Sequence, residues 1–165
     1  MKPILGVFLL MAAASPEQQQ QKIAAAQWLV GTWRCEDTVG SFKGNYRSTY
    51  APVLGGAWLK QTYDFPARNG RPARQAEALM SYDPRRNYWV RFFAMSDGMW
   101  FAIRMTETES GWAWKYVSIS KERKPETEGV DTTLTRRSDS EYAIEGPTYE
   151  QDGERVTEHH VCRKL

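Results

Sequence analysis

Gly31-Thr32-Trp33-Arg34-Cys35 opens the folded part of this chain, and Val161-Cys162-Arg163-Lys164-Leu165 closes it. Cys35 and Cys162 are the two cysteines of the sequence, one just inside the first expected strand and the other three residues from the end. A bond between them closes the chain into a ring. Every other expected strand falls between them at short, regular spacing. The simplest fold that sets the first strand beside the last is a closed antiparallel up-and-down barrel, all-β. A barrel has an interior, and candidate binding residues are those on the faces that line it.

The 165 residues suffice for one domain with a core, or for a barrel with a modest cavity. At the start, Lys2 precedes the apolar run Ile4 to Ala14, and Ala12-Ala13-Ala14 before Ser15 offers the small residues of a cleavage site. Met1 to Ala14 therefore reads as a secretory signal, short of the ~20 apolar residues that span a bilayer. No cysteine stands at the cleavage region to carry a lipid, so a periplasmic or secreted protein with no stable membrane anchor is expected. In such an oxidising compartment a lone cysteine pair forms a disulfide. Lys and Arg number 22 against 20 Asp and Glu, a balance with no global pull toward nucleic acid. Aromatic residues make up 13%, with seven tryptophans and eight tyrosines, which suits rings packed on a pleated surface.

Residues 15–30 read as a helix, with Ser15 as N-cap, Pro16 in the first turn and Glu17 as its carboxylate. Gln18 to Gln21 is a polar run expected to fray, and Ala25, Trp28 and Leu29 form the apolar face that ends at Gly31. From there the period becomes two, and turn residues recur about every ten positions. Ten strands are expected, at Thr32–Val39, Tyr46–Val53, Ala57–Phe65, Gln75–Tyr82, Tyr88–Met95, Met99–Thr106, Trp112–Ser120, Val130–Arg137, Glu141–Tyr149 and Glu154–Arg163. Short links such as Ser96-Asp97-Gly98 and Gln151-Asp152-Gly153 force antiparallel neighbours, so the domain at 31–165 is a meander. Two longer polar links, Pro66 to Arg74 and Lys121 to Gly129, are the candidate mouth loops.

A bridge between neighbouring strands needs both cysteines on one face, which phases the seam. Trp33, Asp37 and Val39 then share the inner face with Cys35, and Val156, Glu158 and His160 share it with Cys162. Arg34, His159 and Arg163 fall outside. In the sixth strand Met99, Phe101, Ile103 and Met105 form an apolar face, and Trp112, Trp114 and Tyr116 alternate as barrel wall. The lumen candidates are therefore Trp33, Asp37, Phe101, Ile103, Trp114, Glu158 and His160. The faces of the fifth strand, Tyr88-Val90-Phe92 and Trp89-Arg91-Phe93, both suit an interior. Arg91 and Arg104 are expected outside with their stems over neighbouring aromatics. Pointing inward, either would need an acid such as Asp37 or Glu158.

No phosphate-cradling glycine loop, nucleophile elbow or spaced histidine pair is present, so no catalytic residue is assigned. A zinc site from both cysteines with His159 and His160 is unfavourable, because adjacent histidines on a strand point to opposite faces. No resident cofactor is expected on these grounds.

Gly31-Thr32-Trp33 after a short helix resembles the Gly-x-Trp start of lipocalins and the wider calycin group. Leu29 to Leu165 is more closely similar to a bacterial family of exported lipocalin-like proteins of unknown function. The matching features are the Leu-Val-Gly-Thr-Trp-Arg-Cys opening, Gly55-Gly56-Ala57-Trp58-Leu59, Ser81-Tyr82-Asp83, Ser138-Asp139-Ser140-Glu141-Tyr142 and Gln151-Asp152-Gly153. The resemblance implies a barrel with an internal cavity. From lipocalins it also implies an arginine of the last strand beside the tryptophan, Arg163 or Arg155. A more distant similarity is to nitrobindin, a haem-holding barrel, which would make His160 the haem ligand. Against this, Arg34-Cys35-Glu36-Asp37 replaces the glycine-alternating stretch of nitrobindins. The expectation is an exported, non-catalytic barrel that binds a small apolar or amphipathic molecule. Haem binding through His160, and a filled interaction barrel forming a homodimer through outer tryptophans, remain the alternatives.

Overall fold

The structure, a computed structural model, describes residues 16–68, 72–119, 132–151 and 154–165. The segment read as a signal and the link from Lys121 to Gly129 lie outside the described residues, as does the Ser15 cap. A helix, α1 (Pro16–Ala25), and a 3-10 turn (Gln27–Leu29) lead into β1 (Gly31–Val39), β2 (Phe42–Val53), β3 (Trp58–Phe65), β4 (Arg74–Asp83) and β5 (Tyr88–Met95). The chain continues through β6 (Trp100–Thr108), β7 (Gly111–Ile119), β8 (Thr132–Arg136), β9 (Glu141–Gln151) and β10 (Glu154–Lys164). These ten strands form one closed barrel, each pairing with its sequence neighbours and β10 returning antiparallel to β1. The expected ten-stranded architecture is the observed one.

Strand bounds move by a few residues where turn chemistry was read too generously. β2 starts at Phe42 and not at Tyr46, because Val39 already pairs with Phe42 across a two-residue turn. Gly40 takes φ 58° there, the left-handed conformation such tight hairpins require at a central position. At the seam Cys35 faces Cys162 in register and is bonded to it, with Trp33 opposite Lys164 and Asp37 opposite His160. The burial of β1 alternates as that phase requires: Trp33, Cys35 and Asp37 are buried, whereas Arg34 and Glu36 are exposed.

α1 closes the rim at which β1 begins and β10 ends. Its buried face is Ile23, Ala26 and Leu29, and not the expected Ala25, Trp28 and Leu29. After Ala25 the backbone tightens to the 3-10 turn, so residues three apart share a side. Ala25 becomes exposed and Trp28 half-buried. The glutamine run is not idle, since Gln18 Nε2 donates to the Tyr82 hydroxyl at 3.3 Å and Gln19 Nε2 to Ser81 Oγ at 2.9 Å.

Lys22 Nζ reaches Glu107 Oε2 at 2.5 Å, and the indole N–H of Trp89 donates to Oε1 of the same carboxylate at 2.9 Å. Burial works to raise the Glu107 pKa, but these two hydrogen bonds outweigh it and hold the group below the usual carboxylate range. A depressed folded-state pKa contributes stability above the unfolded value and loses it as pH falls through the folded one. Helix docking should therefore weaken as the solution is acidified below about pH 4. Trp89 near-ultraviolet dichroism should fade on that limb in the wild-type chain, and Glu107→Gln should flatten it. An acid limb unchanged by Glu107→Gln would remove this pair from the account.

Candidate functional site

Inner-face side chains divide into two halves along the barrel axis. Next to α1 the lumen is solid: Trp33, Leu59 and Tyr142 are 0% exposed, and Trp89 and Met105 are 1% exposed. Trp28 lies over this end, stacked with Trp112 at 6.0 Å and edge-on to Trp33 at 6.3 Å. Beside it a pocket of about 340 Å³ is lined by Lys22, Trp28, Trp89, Glu107, Trp112 and Arg136. Toward the opposite rim the inward residues Phe65, Met95, Phe101, Tyr116, Ile144 and His160 are only half-buried. A pocket of about 680 Å³ at that rim lies mostly on the outer side of the wall, lined by Asn45, Arg47, Asp64, Arg74 and Gln75, with Tyr46 and Phe65 at its edge.

Between the halves lies a polar layer. Arg91 points inward and is 6% exposed, contrary to the outward placement expected of it; Arg104 does lie outside. The reason is register: Trp89, Arg91 and Phe93 face the lumen, and apolar residues on both sides of β5 concealed that phase. Neither Asp37 nor Glu158 is its partner. Nη2 of Arg91 instead donates to Gln61 Oε1 at 2.6 Å and to the Tyr63 hydroxyl. Gln61 Nε2 passes the chain on to Ser48 Oγ at 2.7 Å.

Burial pushes the phenols of Tyr46, Tyr50 and Tyr142 well above their ordinary value. It also raises Tyr63, although the Arg91 charge pulls that group down. All four are neutral O–H groups at physiological pH. For Arg91, burial opposes the charge but the oxygens of Tyr63, Tyr50, Tyr142 and Tyr46 favour it, and its pKa lies above the ordinary guanidinium value. The layer is thus a permanent cation among neutral hydroxyls.

Of the residues read from sequence as lumen-facing, Ile103 and Trp114 are buried wall at 3% and 7% exposed. Phe101 stacks on Phe93 at 4.4 Å and meets Tyr116 edge-on at 5.2 Å. Trp33 belongs to the plugged end, where its indole N–H donates to the Leu29 carbonyl at 2.7 Å. Arg163 stays outside, paired with Glu141 at 3.0 Å and Glu36 at 3.6 Å, and Arg155 is exposed. The cation over Trp33 is Lys164, 5.3 Å from the ring centroid, so the arginine expected from the lipocalin resemblance is replaced. Asp37 lies at the far rim and forms a two-point pair with Arg68, at 3.0 and 3.3 Å. Gly44 makes room for this clasp: a Cβ there would sit 1.4 Å from Arg68 Nη1.

His160 lines the lumen while His159 is exposed on the other side. Nδ1 of His160 lies 3.4 Å from the Tyr46 hydroxyl and Nε2 lies 4.0 Å from a Glu158 carboxylate oxygen. A haem iron would have to take the place of that carboxylate at Nε2 or of the tyrosine at Nδ1. Among the described residues no group of three metal-ligating side chains converges.

Sequence reasoning missed Arg91, Gln61, Ser48, Arg68 and the four tyrosines. Alternation along β3, with Gln61 and Tyr63 in step with Leu59, carried a signal for two of them. The fold and this layer define a class: a closed ten-stranded barrel, plugged at one end, with a polar floor under an aromatic half. No family model matches the chain, and no curated protein matches it. Among solved structures it is similar to a de novo designed fluorescence-activating β-barrel, at 13% identity and a TM-score of 0.44. The match covers 86% of this chain and 97% of the designed one.

Proposed function

We propose that this chain is an exported, non-catalytic barrel of lipocalin-like type that takes a small apolar or amphipathic molecule into the half of its lumen away from α1. The observation that carries the reading is the exposure gradient: inward aromatics are sealed beside the helix but half-covered toward the other rim. Pockets that bind small molecules are concave, mostly apolar and equipped with a few polar groups, which is the composition of this half. Export is supported by the disulfide and by the signal-like start, and no helix among the described residues is long and apolar enough to cross a membrane.

The test is titration of the purified full chain with the neutral fluorophore N-phenyl-1-naphthylamine, alongside native mass spectrometry. Saturable binding of one molecule per chain is expected. Phe101→Ala should weaken it roughly tenfold, the size of a typical aromatic anchor. Failure to saturate would mean a filled interior. A second reading then gains, because Leu79, Phe92 and Trp100 expose a row of apolar side chains on the outer face of β4 to β6. That version predicts a dimer in sedimentation. The haem alternative predicts an absorbance band near roughly 400 nm on adding haemin, lost in His160→Ala.

A further inference from the structure

Arg91 is a buried cation, and its hydrogen-bond partners among the described residues, Gln61 and Tyr63, are both neutral. A buried charge is costly unless it is paired and its donors are used. Here they are used only in part: Nη2 serves Gln61 and Tyr63, while Nε is buried with no acceptor among the described residues. The groups around it deepen the imbalance. Gln61 spends its oxygen on Arg91, and Tyr63 receives the Arg91 hydrogen bond and keeps its own proton to give, while Ser48 and Tyr50 are engaged with the Tyr142 hydroxyl. Among the described residues, Arg91 and the Tyr63 hydroxyl are left with donors to spare.

We infer that Arg91 anchors the carboxylate of an organic acid, which enters head first and leaves its apolar body against Phe65, Phe93 and Phe101. The inference rests on the lumen-binding proposal and names the chemical class of its ligand. One anion supplies an acceptor to the guanidinium and to the Tyr63 hydroxyl, and its single charge matches that of Arg91. A second cation near the lumen among the described residues, Arg68, is already held by Asp37, which argues for a monoanion and against a phosphate dianion. A carboxylate also presents two coplanar oxygens, the geometry a guanidinium meets best. The aromatic wall continues directly from the floor: Tyr63 stacks on Phe65 at 5.8 Å and meets Phe93 edge-on at 5.4 Å.

The experiment compares laurate with dodecan-1-ol, equal in tail and different in head, by displacement of N-phenyl-1-naphthylamine from the full chain near neutral pH. Laurate should bind roughly tenfold to hundredfold more tightly, the range of a charge-assisted hydrogen bond. Arg91→Met should cost laurate far more than dodecanol, so that the wild-type preference for the acid collapses. Arg91→Lys, which keeps the charge and loses the fork, should fall between. Should Arg91→Met not fold, the wild-type ratio and the lysine variant still decide. Equal affinities in the wild-type chain overturn the inference, and so does a preference for laurate that survives in Arg91→Met. A chain that binds the fluorophore but releases it to neither probe overturns this inference alone; one that binds no fluorophore overturns the lumen proposal as well.

Discussion

Replacing Cys35 and Cys162 together by alanine is expected to lower the unfolding free energy by up to ~5 kcal/mol. The bond joins residues 127 apart, and in the chain-entropy description a loop of that length restricts the unfolded chain by about this amount. For a domain of this size the melting temperature should drop by roughly 10–20 °C. The effect acts mainly on the unfolded ensemble, so the denaturant slope should rise as the released chain exposes more surface. Urea melts of the oxidised chain and the double variant supply both numbers. A loss below about 1 kcal/mol would show that the ladder of β1 with β10 holds the barrel shut without its crosslink.

Trp33→Ala is expected to cost ~4 kcal/mol, the range for a large aromatic removed from a packed core. Trp33 is wholly buried, meets Tyr142 at 4.8 Å and Trp28 at 6.3 Å, and lies under the Lys164 ammonium. Its N–H is also the link between the barrel and the 3-10 turn, through the Leu29 carbonyl. Trp33→Phe separates the two contributions. It keeps much of the ring contact but strands that carbonyl, and should cost about 1–3 kcal/mol. Hydrogen exchange should then quicken in α1 before it does in the strands. Equal losses in both variants would mean that the hydrogen bond, and not the ring, fixes the plug.

The seam was legible because its chemistry is local and self-checking. Two cysteines must share a face, and alternation from Cys35 and Cys162 then places Trp33, Asp37 and His160 without reference to the rest of the chain. The middle strands offered no such marker. In β5 a two-sided apolar pattern left Arg91 without a phase, and the assumption that a buried arginine needs an acid pushed it outward. The structure meets the arginine with Gln61 and Tyr63 from β3, two strands away in the barrel order. That juxtaposition depends on strand register and barrel curvature, which no stretch of sequence records by itself. The clasp of Arg68 on Asp37 was hidden for a similar reason, since a link was read by its composition and not by what it reaches. The apolar face of α1 was misread because the change to 3-10 geometry after Ala25 shifts which residues share a side.

Ten is an even number, and a meander of ten antiparallel strands brings its last residue back to the rim from which its first strand set out. Leu165 N–H accordingly donates to the Thr32 carbonyl at 2.9 Å, beside the helix. A tether, label or fused domain attached after Leu165 is held behind the stopper, pointing away from the aromatic chamber, and the barrel can be immobilised on a surface with its entrance left facing the solution.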